Sequence, residues 1–239
     1  AGVAVVAQYS DGTIYSTVSN GDGTFILNNI LEGDYQLFAG KWGYLHAVEL
    51  LTINQTNNSV SLSLSEGYQD DFFFDFNWEI NNSAQTGMWE LGEPEGTIYE
   101  GNQSNPGMDV DGDLGIECYV TGNGGGAAGT DDIDNGYTTL TSPTFDLSNY
   151  IAPAISYQRW FANSGGSGNP NDSLKVILSN GAIQKIVEVV TAATANNNSW
   201  VTKQVLVNDY FPTTANKSRM QLSFVIGDDA TGHLVEAGV

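Results

Sequence analysis

Short runs of alternating apolar and polar residues occupy the first 64 positions, and residues that favour turns separate them. The alternation has the two-residue period of a half-buried β-strand, and no segment shows the 3.6-residue period of a helix. Asn20-Gly21 and Asp22-Gly23 favour a tight hairpin turn, because glycine adopts positive φ at low cost. The runs cover residues 3–7, 13–18, 24–27, 35–39, 47–53 and 60–64. This pattern predicts a small antiparallel β-sandwich.

A second region begins with the segment FFFDFNWE at residues 72–79. Aromatic residues occupy positions 72, 74, 76 and 78, whereas acidic or amide residues occupy 75, 77 and 79, so we predict a strand with one apolar face. Further alternating runs cover 116–121, 155–161, 174–179, 200–207 and 220–226, and residues 186–194 form either a strand or a frayed edge. We therefore predict an all-β chain of two β-sandwich domains, residues 1–67 and 68–239.

The net charge narrows the possible partners. The chain has 239 residues, of which 28 are acidic and 7 are basic, and its formal charge is −21. Such a charge repels nucleic acids and anionic membrane surfaces, so neither is an expected partner. It also repels itself in the folded state unless salt or bound cations screen it, which fits a saline or calcium-containing extracellular medium. We expect a secreted or cell-surface protein.

The single cysteine, the absence of a long apolar run and the first residue lead to three further expectations. Cys118 excludes an intrachain disulfide and a thiolate metal site, and we expect it to be buried and inert. No apolar run approaches the roughly 20 residues that span a bilayer, so no membrane insertion is expected. The chain starts with Ala1 and shows no signal peptide, from which we expect a mature or excised piece of a longer protein.

Three carboxylates form the first candidate cation site. Asp131, Asp132 and Asp134 precede Asn135-Gly136 and the strand-like residues 137–140. Carboxylates this close repel one another unless a positive charge lies between them, and Ca²⁺ is the cation that oxygen ligands of this kind hold best. The alternative is a solvated acidic turn, since Asp and Asn both favour turns.

A second candidate site consists of Asp109, Asp111 and Asp113, which occupy alternate positions. This spacing is typical of the start of an EF-hand loop, but Leu114 stands where that loop needs glycine and no glutamate follows at the twelfth position. The segment is therefore not an EF-hand. Either another kind of calcium turn or a bare acidic loop remains.

The sequence gives no sign of an enzyme. Its two histidines, His46 and His233, are far apart and belong to no HExxH motif or Cys/His cluster. No GxSxG motif is present, and the local sequence of neither histidine indicates a positioned base, so we interpret both as surface or packing residues. The acidic residues show no recognisable glycosidase pair. We predict a non-catalytic protein.

The segment SNGDGTFILNNILEGDYQLFAGKWGY at residues 19–44 resembles the carboxypeptidase regulatory-like, or transthyretin-like, domain. The similarity extends over residues 1–66. In that family the glycine-rich turn and the positions of Phe25 and Tyr35 are structural. The resemblance implies a small transthyretin-like sandwich that acts as a non-catalytic accessory module.

Residues 72–239 resemble the jelly-roll sandwich of the MAM and concanavalin-like type, found in accessory regions of secreted bacterial peptidases. The matching segments are FDFNWEI, DDIDNGYTTLTSPTFDLS, ISYQRWFANS, NDSLKVILS, MQLSFVIGDD and LVEAG. The resemblance implies a larger jelly roll with a structural Ca²⁺, whose expected ligands are Asp75 or Asn77, Asp131, Asp132, Asp134 and Glu236. The family continues past VEAG into another strand, commonly through an Asp that this chain lacks or has lost, so the resemblance leaves open whether the C-terminal strand is truncated.

We therefore expect a non-catalytic accessory region of a secreted multidomain bacterial protein, namely a peptidase, whose catalytic domain would be its partner. One alternative is a carbohydrate-binding module that holds glycans on exposed aromatic rings. Trp42 lies between Lys41 and Gly43 in a predicted turn and is the best ligand candidate, whereas we expect Trp160 to be buried. Another alternative is an adhesive or structural protein of the cell surface.

Overall fold

A computed structural model describes residues 1–166, 169–228 and 232–239 of the chain. It divides into two compact units, Ala1–Asp70 and Asp71–Val239, so the division lies three residues after the boundary expected from the sequence. Both units consist of β-sheet, which is antiparallel except for the short parallel pair of residues 97–98 and 126–127, and the described residues include a single four-residue helix. The prediction of an all-β chain with two sandwich domains is confirmed. Among the described residues, no helix has the length and apolar character needed to cross a membrane.

The first unit contains a four-stranded sheet in the order β2-β1-β3-β4. Its strands are β1 (Ala4–Tyr9), β2 (Ile14–Val18), β3 (Gly33–Gly40) and β4 (Ala47–Ile53). Four of the six predicted runs are therefore strands. Residues 24–27 and 60–64 are not, although Leu27 and Val60 pack against a buried core of Ala7, Tyr35 and Leu37. Their apolar residues thus form a second layer without pairing into the sheet.

The second unit is a sandwich of two five-stranded sheets, with orders β14-β13-β16-β11-β5 and β15-β12-β17-β9-β6. A third sheet, β10-β7-β8, is small. The elements are β5 (Glu79–Asn82), β6 (Trp89–Gly92), β7 (Thr97–Tyr99), β8 (Asn102–Gln103), β9 (Cys118–Thr121), β10 (Gly126–Ala127), β11 (Gly136–Thr141), β12 (Ala154–Gly166), β13 (Ser173–Ser179), β14 (Gln184–Thr191), β15 (Val201–Leu206), α1 (Val207–Tyr210), β16 (Gln221–Asp228) and β17 (His233–Gly238).

Side chains of both large sheets fill the core of the second unit. The Phe224 ring of β16 lies 5.4 Å from the ring of Tyr157 on β12. Trp160 is buried, as predicted, and its indole Nε1 donates a hydrogen bond of 2.6 Å to the Ser104 carbonyl. The last strand, β17, lies between β12 and β9 and is buried along its whole length. Asp229, which completes the GDD sequence of the resemblance, lies outside the described residues.

The strand predicted over residues 72–79 is wrong, because only Glu79 belongs to a strand. Phe72 and Asn77 have φ angles of 58° and 62°, which a β-strand does not contain. The backbone N–H of Asn77 donates a hydrogen bond of 2.8 Å to Asp75 Oδ1, as in an Asx turn. The Phe72 ring packs 5.5 Å from that of Trp78, so the aromatic residues cluster around a turn.

A buried polar network joins the two large sheets. Arg159 of β12 is fully buried, and its Nη2 lies 3.1 Å from Oε1 of Glu188 on β14. The Tyr157 hydroxyl donates a hydrogen bond of 2.7 Å to Glu188 Oε2, and Lys203 Nζ lies 3.3 Å from Oε1. Burial raises the pKa of Glu188, but the hydrogen bonds and charges of these partners outweigh burial and lower it. Glu188 is therefore held as a carboxylate between the sheets.

Candidate metal centre

Three acidic side chains form what we call the carboxylate pocket: Asp131, Asp132 and Glu236. The two aspartates lie in the segment just before β11, and Glu236 lies on β17. A backbone hydrogen bond of 3.4 Å from Ile133 N to Val235 O holds the segment against this strand. Residues far apart in the sequence therefore meet at one end of the second unit.

Glu236 is the most constrained member of the pocket. Its side chain is 0 % exposed, and Oε2 accepts a hydrogen bond of 2.8 Å from Thr121 Oγ1. Oε1 is buried and has no hydrogen-bond partner among the described residues. Burial raises the pKa of Glu236 well above its usual value; the Thr121 hydrogen bond opposes this, and the charges of Asp132 and Asp131 raise it further. This carboxylate therefore needs either a proton or a cation at Oε1.

The two aspartates of the pocket also have carboxylate oxygens that are wholly or partly buried. Asp131 Oδ2 accepts a hydrogen bond from Gly124 N, whereas its Oδ1 is buried without a hydrogen-bond partner. Asp132 is 5 % exposed, and burial, followed by the charge of Asp134, raises its pKa to about 7. The charges of Asp228 and Asp131 add to this increase. A divalent cation among these groups would replace repulsion with attraction.

Asp134 lies at the edge of this pocket. Its backbone oxygen accepts a hydrogen bond of 2.8 Å from Gln85 N, and its Oδ2 lies 3.4 Å from Thr86 Oγ1. Thr86 Oγ1 also donates a hydrogen bond of 2.8 Å to the Asp132 carbonyl. Of the six residues expected to bind the ion, four are linked by charge: Asp131 and Asp132 raise the pKa of Glu236, and Asp134 raises that of Asp132. Among the described residues, these carboxylates do not form a group of three whose ligand atoms all lie within 4.8 Å of one another.

Asp75 and Asn77 lie away from the pocket. In the pairing of β5 with β11, Glu79 is opposite Thr141 and Asn82 is opposite Thr138. The residues before Glu79 therefore extend from the Thr141 end of β11, whereas Asp134 precedes its other end. A strand rises about 3.3 Å per residue, so β11 alone separates the two groups by roughly 17 Å. The Ca²⁺ ligands expected at Asp75 or Asn77 are not part of this arrangement.

The second acidic segment forms a different cluster from the one expected. Burial raises the pKa of Asp113 to about 7, and the charges of Asp109 and Asp71 contribute to the increase. Asp109 Oδ2 is buried without a hydrogen-bond partner, whereas Asp111 is exposed. Asp71 thus takes the place expected for Asp111. Asp71 is the first residue of the second unit and lies 38 positions before Asp109, so the local sequence does not indicate this contact.

Cys118 lies beside this second cluster on β9. Its side chain is buried, and burial raises the pKa of the thiol far above its usual value. The charge of Asp109 and its hydrogen bond with the thiol act in the same direction. The thiol is therefore held in its neutral form, and we infer that it is unreactive in the folded protein.

Trp42 does not present a bare aromatic face. The residue is half-buried in the first unit, and its ring lies 5.4 Å from that of Tyr68 in an edge-on arrangement. The contact covers part of the indole. Trp42 is consequently a poorer platform for a ligand than its turn-like sequence context predicts.

A polar depression lies on the outer face of the sheet that contains β11. Its volume is about 640 Å³. Its lining is mostly uncharged and includes Asn81, Thr139, Thr141, Gln184 and Ser223, together with Glu79 and the apolar Ile80, Ile177 and Val225.

Tyr137 belongs to the same face, because it alternates with Thr139 and Thr141 along β11. The ring is 39 % exposed. It packs on Gly227 of the neighbouring strand, where a Cβ atom would overlap the ring. Because Gly227 has no side chain, the Tyr137 ring can lie close to the sheet beside the depression.

Comparison with known proteins leaves the family open. No family profile and no curated protein sequence matches the chain. A solved structure, TmCBM61 in complex with β-1,4-galactotriose, aligns with 68 % of this chain and 83 % of its own at 9 % identity and a TM-score of 0.36. At these values the similarity assigns neither a family nor a ligand to this chain.

Proposed function

We propose that the second unit is a non-catalytic β-sandwich module whose carboxylate pocket binds a structural Ca²⁺ ion. The observation that carries this proposal is Glu236: a fully buried carboxylate whose Oε1 has no hydrogen-bond partner, within electrostatic reach of Asp131 and Asp132. Leaving a charged carboxylate buried and unpaired costs several kcal/mol, so an evolved pocket of this kind needs compensation.

Calcium suits the chemistry of the pocket better than the other common cations. The available ligands are carboxylate oxygens, with the Thr121 hydroxyl as a neighbour of Glu236. Ca²⁺ takes six to eight oxygen ligands in flexible geometry, whereas Zn²⁺ favours nitrogen and sulfur and Mg²⁺ demands a near-ideal octahedron. Water molecules and backbone carbonyls would complete the coordination shell.

A bound ion would be structural, because it would join separate parts of the sandwich. Asp131 and Asp132 lie before an interior strand of one large sheet, and Glu236 lies on an interior strand of the other. Fixing these segments together restricts the unfolded chain and neutralises repulsion in the folded state. We therefore expect the bound ion to stabilise the folded second unit.

Thermal unfolding with and without calcium tests this proposal. Saturating Ca²⁺ should raise the Tm of the second unit by several degrees over the protein in EDTA. Asp131→Asn should lose most of this increase, whereas Asp75→Asn, the matched control, should keep it. Equal Tm values in Ca²⁺ and EDTA would remove the proposal, and a loss in Asp75→Asn as large as that in Asp131→Asn would contradict the assigned ligands.

The wider role follows from the sequence resemblances. We propose that the chain is an accessory region of a secreted protein, supported by its acidic composition and by the likeness of its segments to the accessory domains of bacterial peptidases. The full-length reading frame tests the peptidase assignment, since it should encode a catalytic domain. A reading frame with a membrane or wall anchor and no catalytic domain would favour the adhesive alternative.

Carbohydrate binding is a second candidate function, favoured by the polar depression and by Tyr137. Hydroxyl and amide groups on a rigid sheet can hydrogen-bond the hydroxyls of a sugar, and an exposed aromatic ring can stack on its apolar face. The groups that line the depression are mostly uncharged. A neutral polysaccharide therefore fits better than an anionic one.

Affinity electrophoresis in gels that contain soluble polysaccharides, β-1,4-galactan among them, tests this candidate. A retarding polysaccharide should lose its effect on Tyr137→Ala, while Trp42→Ala should behave as the wild type. Retardation that depends on Trp42 and not on Tyr137 would move the ligand to the first unit. No retardation by any neutral polysaccharide would argue against this function.

A further inference from the structure

His233 lies in a buried cluster that its sequence context does not predict. It is 5 % exposed, and Asp172 and Asp228 are each 2 % exposed. Nδ1 of the imidazole lies 3.0 Å from Asp172 Oδ2 and 3.8 Å from Asp228 Oδ1. One ligand atom of each of the three residues lies within 4.8 Å of the others. We call Asp172, Asp228 and His233, together with Asn163, the histidine cluster.

Asn163 supplies a second and independent observation. The residue is 4 % exposed, and its Nδ2 donates a hydrogen bond of 2.9 Å to Asp172 Oδ2, the same oxygen that faces His233. Its Oδ1 is buried and, within the part of the chain that the structure describes, has no hydrogen-bond partner. An amide oxygen without a partner, on a side chain that already contacts the cluster, is a further potential metal ligand.

The histidine cluster is distinct from the carboxylate pocket. In the pairing of β12 with β17, Asn163 is opposite Val235, so both side chains point to the same face of the sheet. Glu236 is the next residue and points to the other face. The side chains of Glu236 and His233 therefore point to opposite faces of β17, although the charge of Asp228 reaches Asp132 and contributes to its raised pKa.

We propose that the histidine cluster is a binding site for a divalent transition-metal ion of the Zn²⁺ type. Imidazole nitrogen and carboxylate oxygen are ordinary ligands of Zn²⁺, and four donors are present: His233 Nδ1, Asp172, Asp228 and Asn163 Oδ1. Ca²⁺ would favour an all-oxygen site. Since Nδ1 faces the carboxylates, the metal binds Nδ1 and leaves the proton on Nε2.

Without a metal, the same geometry favours a different position for the imidazole proton. His233 Nδ1 would then donate a hydrogen bond to Asp172 Oδ2, and the cluster would be a buried network of an imidazole between two carboxylates. Metal binding moves the proton from Nδ1 to Nε2, whereas the metal-free network keeps it on Nδ1. The protonation of the two ring nitrogens therefore distinguishes the two states.

NMR of the ¹⁵N-histidine-labelled chain tests the proposal with the histidine cluster left intact, because the sequence contains two histidines and the other one can be substituted. The protein is saturated with Ca²⁺ to occupy the carboxylate pocket and is then titrated with Zn²⁺. We expect the imidazole signals of one histidine to change and saturate at one Zn²⁺ per chain, with Nδ1 metal-bound and Nε2 protonated. The spectrum of His46→Gln assigns the changed signals to His233.

Variants separate the two sites. Asp172→Asn should weaken Zn²⁺ binding about tenfold or more, since it removes a ligand and a partner of the imidazole. Asp131→Asn should leave the Zn²⁺ response of His233 unchanged, even where it abolishes the effect of Ca²⁺. The proposal is overturned if the His233 signals do not respond to Zn²⁺, if Nδ1 stays protonated at saturation, or if Ca²⁺ alone produces the same change.

Discussion

The behaviour of the carboxylate pocket is decided by single atoms. Glu236 Oε2 has a hydroxyl partner in Thr121, and Oε1 has none. Without a cation, protonation of this carboxyl is the cheapest way to bury it, which is why its pKa rises. With Ca²⁺ bound, the charged form becomes the favourable one. We therefore expect this side chain to destabilise the metal-free fold and, where Ca²⁺ binds as proposed, to stabilise the folded state.

Glu236→Gln separates these two effects. The amide keeps the shape of the side chain and removes its charge, so in EDTA we expect a Tm equal to or above that of the wild type. In saturating Ca²⁺ we expect a Tm below that of the wild type, because a ligand charge has been lost. Differential scanning calorimetry in both conditions measures the reversal.

Glu90→Gln is the matched control for this prediction. Glu90 is an exposed residue of β6, so its substitution should change neither Tm by more than about one degree. A Glu236→Gln protein that is strongly destabilised in EDTA would show that the carboxylate has a structural partner other than a cation. A protein whose response to Ca²⁺ is unchanged would remove Glu236 from the site.

At the level of elements, alternation of apolar residues predicted strands well where both sides of a strand have a defined environment. It succeeded for the four strands of the first unit and for most of the second. It failed at residues 72–79, because aromatic residues can bury themselves by clustering as well as by facing a sheet. Phe72 and Asn77 adopt positive φ there, and hydrophobic periodicity gives no indication of backbone of this kind.

Candidate ligands were predictable where they are close in sequence. Asp131, Asp132 and Asp134 are neighbours, whereas Glu236 was expected only from a resemblance. The contact between His233 and Asp172 joins residues 61 positions apart, and it exists because the segment just before β13, which contains Asp172, lies beside the first residue of β17. No local pattern around a lone histidine reports such a contact.

Arg159 provides a prediction at the level of the two sheets. Arg159→Met removes the main charge partner of Glu188 and leaves this largely buried carboxylate with Tyr157 and the partly exposed Lys203. We expect a loss of about 2–3 kcal/mol in the free energy of unfolding, below the usual range for breaking a buried pair because Lys203 remains. Urea denaturation followed by tryptophan fluorescence measures it, since four of the five tryptophans belong to the second unit.

Two further variants show whether the loss arises from the charge left behind. The double variant Arg159→Met with Glu188→Leu should recover much of the stability, because no unpaired carboxylate remains. Arg219, the chain's other arginine, is exposed, so Arg219→Met should leave the free energy of unfolding almost unchanged. A double variant less stable than Arg159→Met alone would mean that the network contributes through its geometry and not only through charge balance.

At the scale of the whole molecule, the carboxylates that give the charge of −21 differ in how much they cost the folded state. Exposed carboxylates are solvated and screened, whereas those at the carboxylate pocket and around Asp113 are crowded and partly or wholly buried. Bound cations at these few positions would remove much of the electrostatic cost of folding. The dependence of stability on pH should therefore be governed by a small number of acidic groups.

In the metal-free protein, stability should fall as pH rises from 5 to 8. Asp132 and Asp113 have folded-state pKa values of about 7, above the ordinary aspartate value of 3.8, so between these limits the folded state binds more protons than the unfolded state. Deprotonation through this window then favours unfolding. Burial is the main cause of the raised pKa of Asp132, and the charges of Asp134, Asp228 and Asp131 raise it further.

Calcium should remove the part of this pH dependence of stability that the carboxylate pocket causes, because the ion binds deprotonated carboxylates and competes with protons. We expect the Tm in EDTA to be higher at pH 5 than at pH 8, and the difference between the Tm in Ca²⁺ and in EDTA to widen as pH rises. Asp132→Asn should flatten the profile in EDTA. A metal-free Tm that increases from pH 5 to pH 8 would mean that the crowded carboxylates are ionised and stabilised by partners within the chain, and a buried cation would then have no repulsion to relieve.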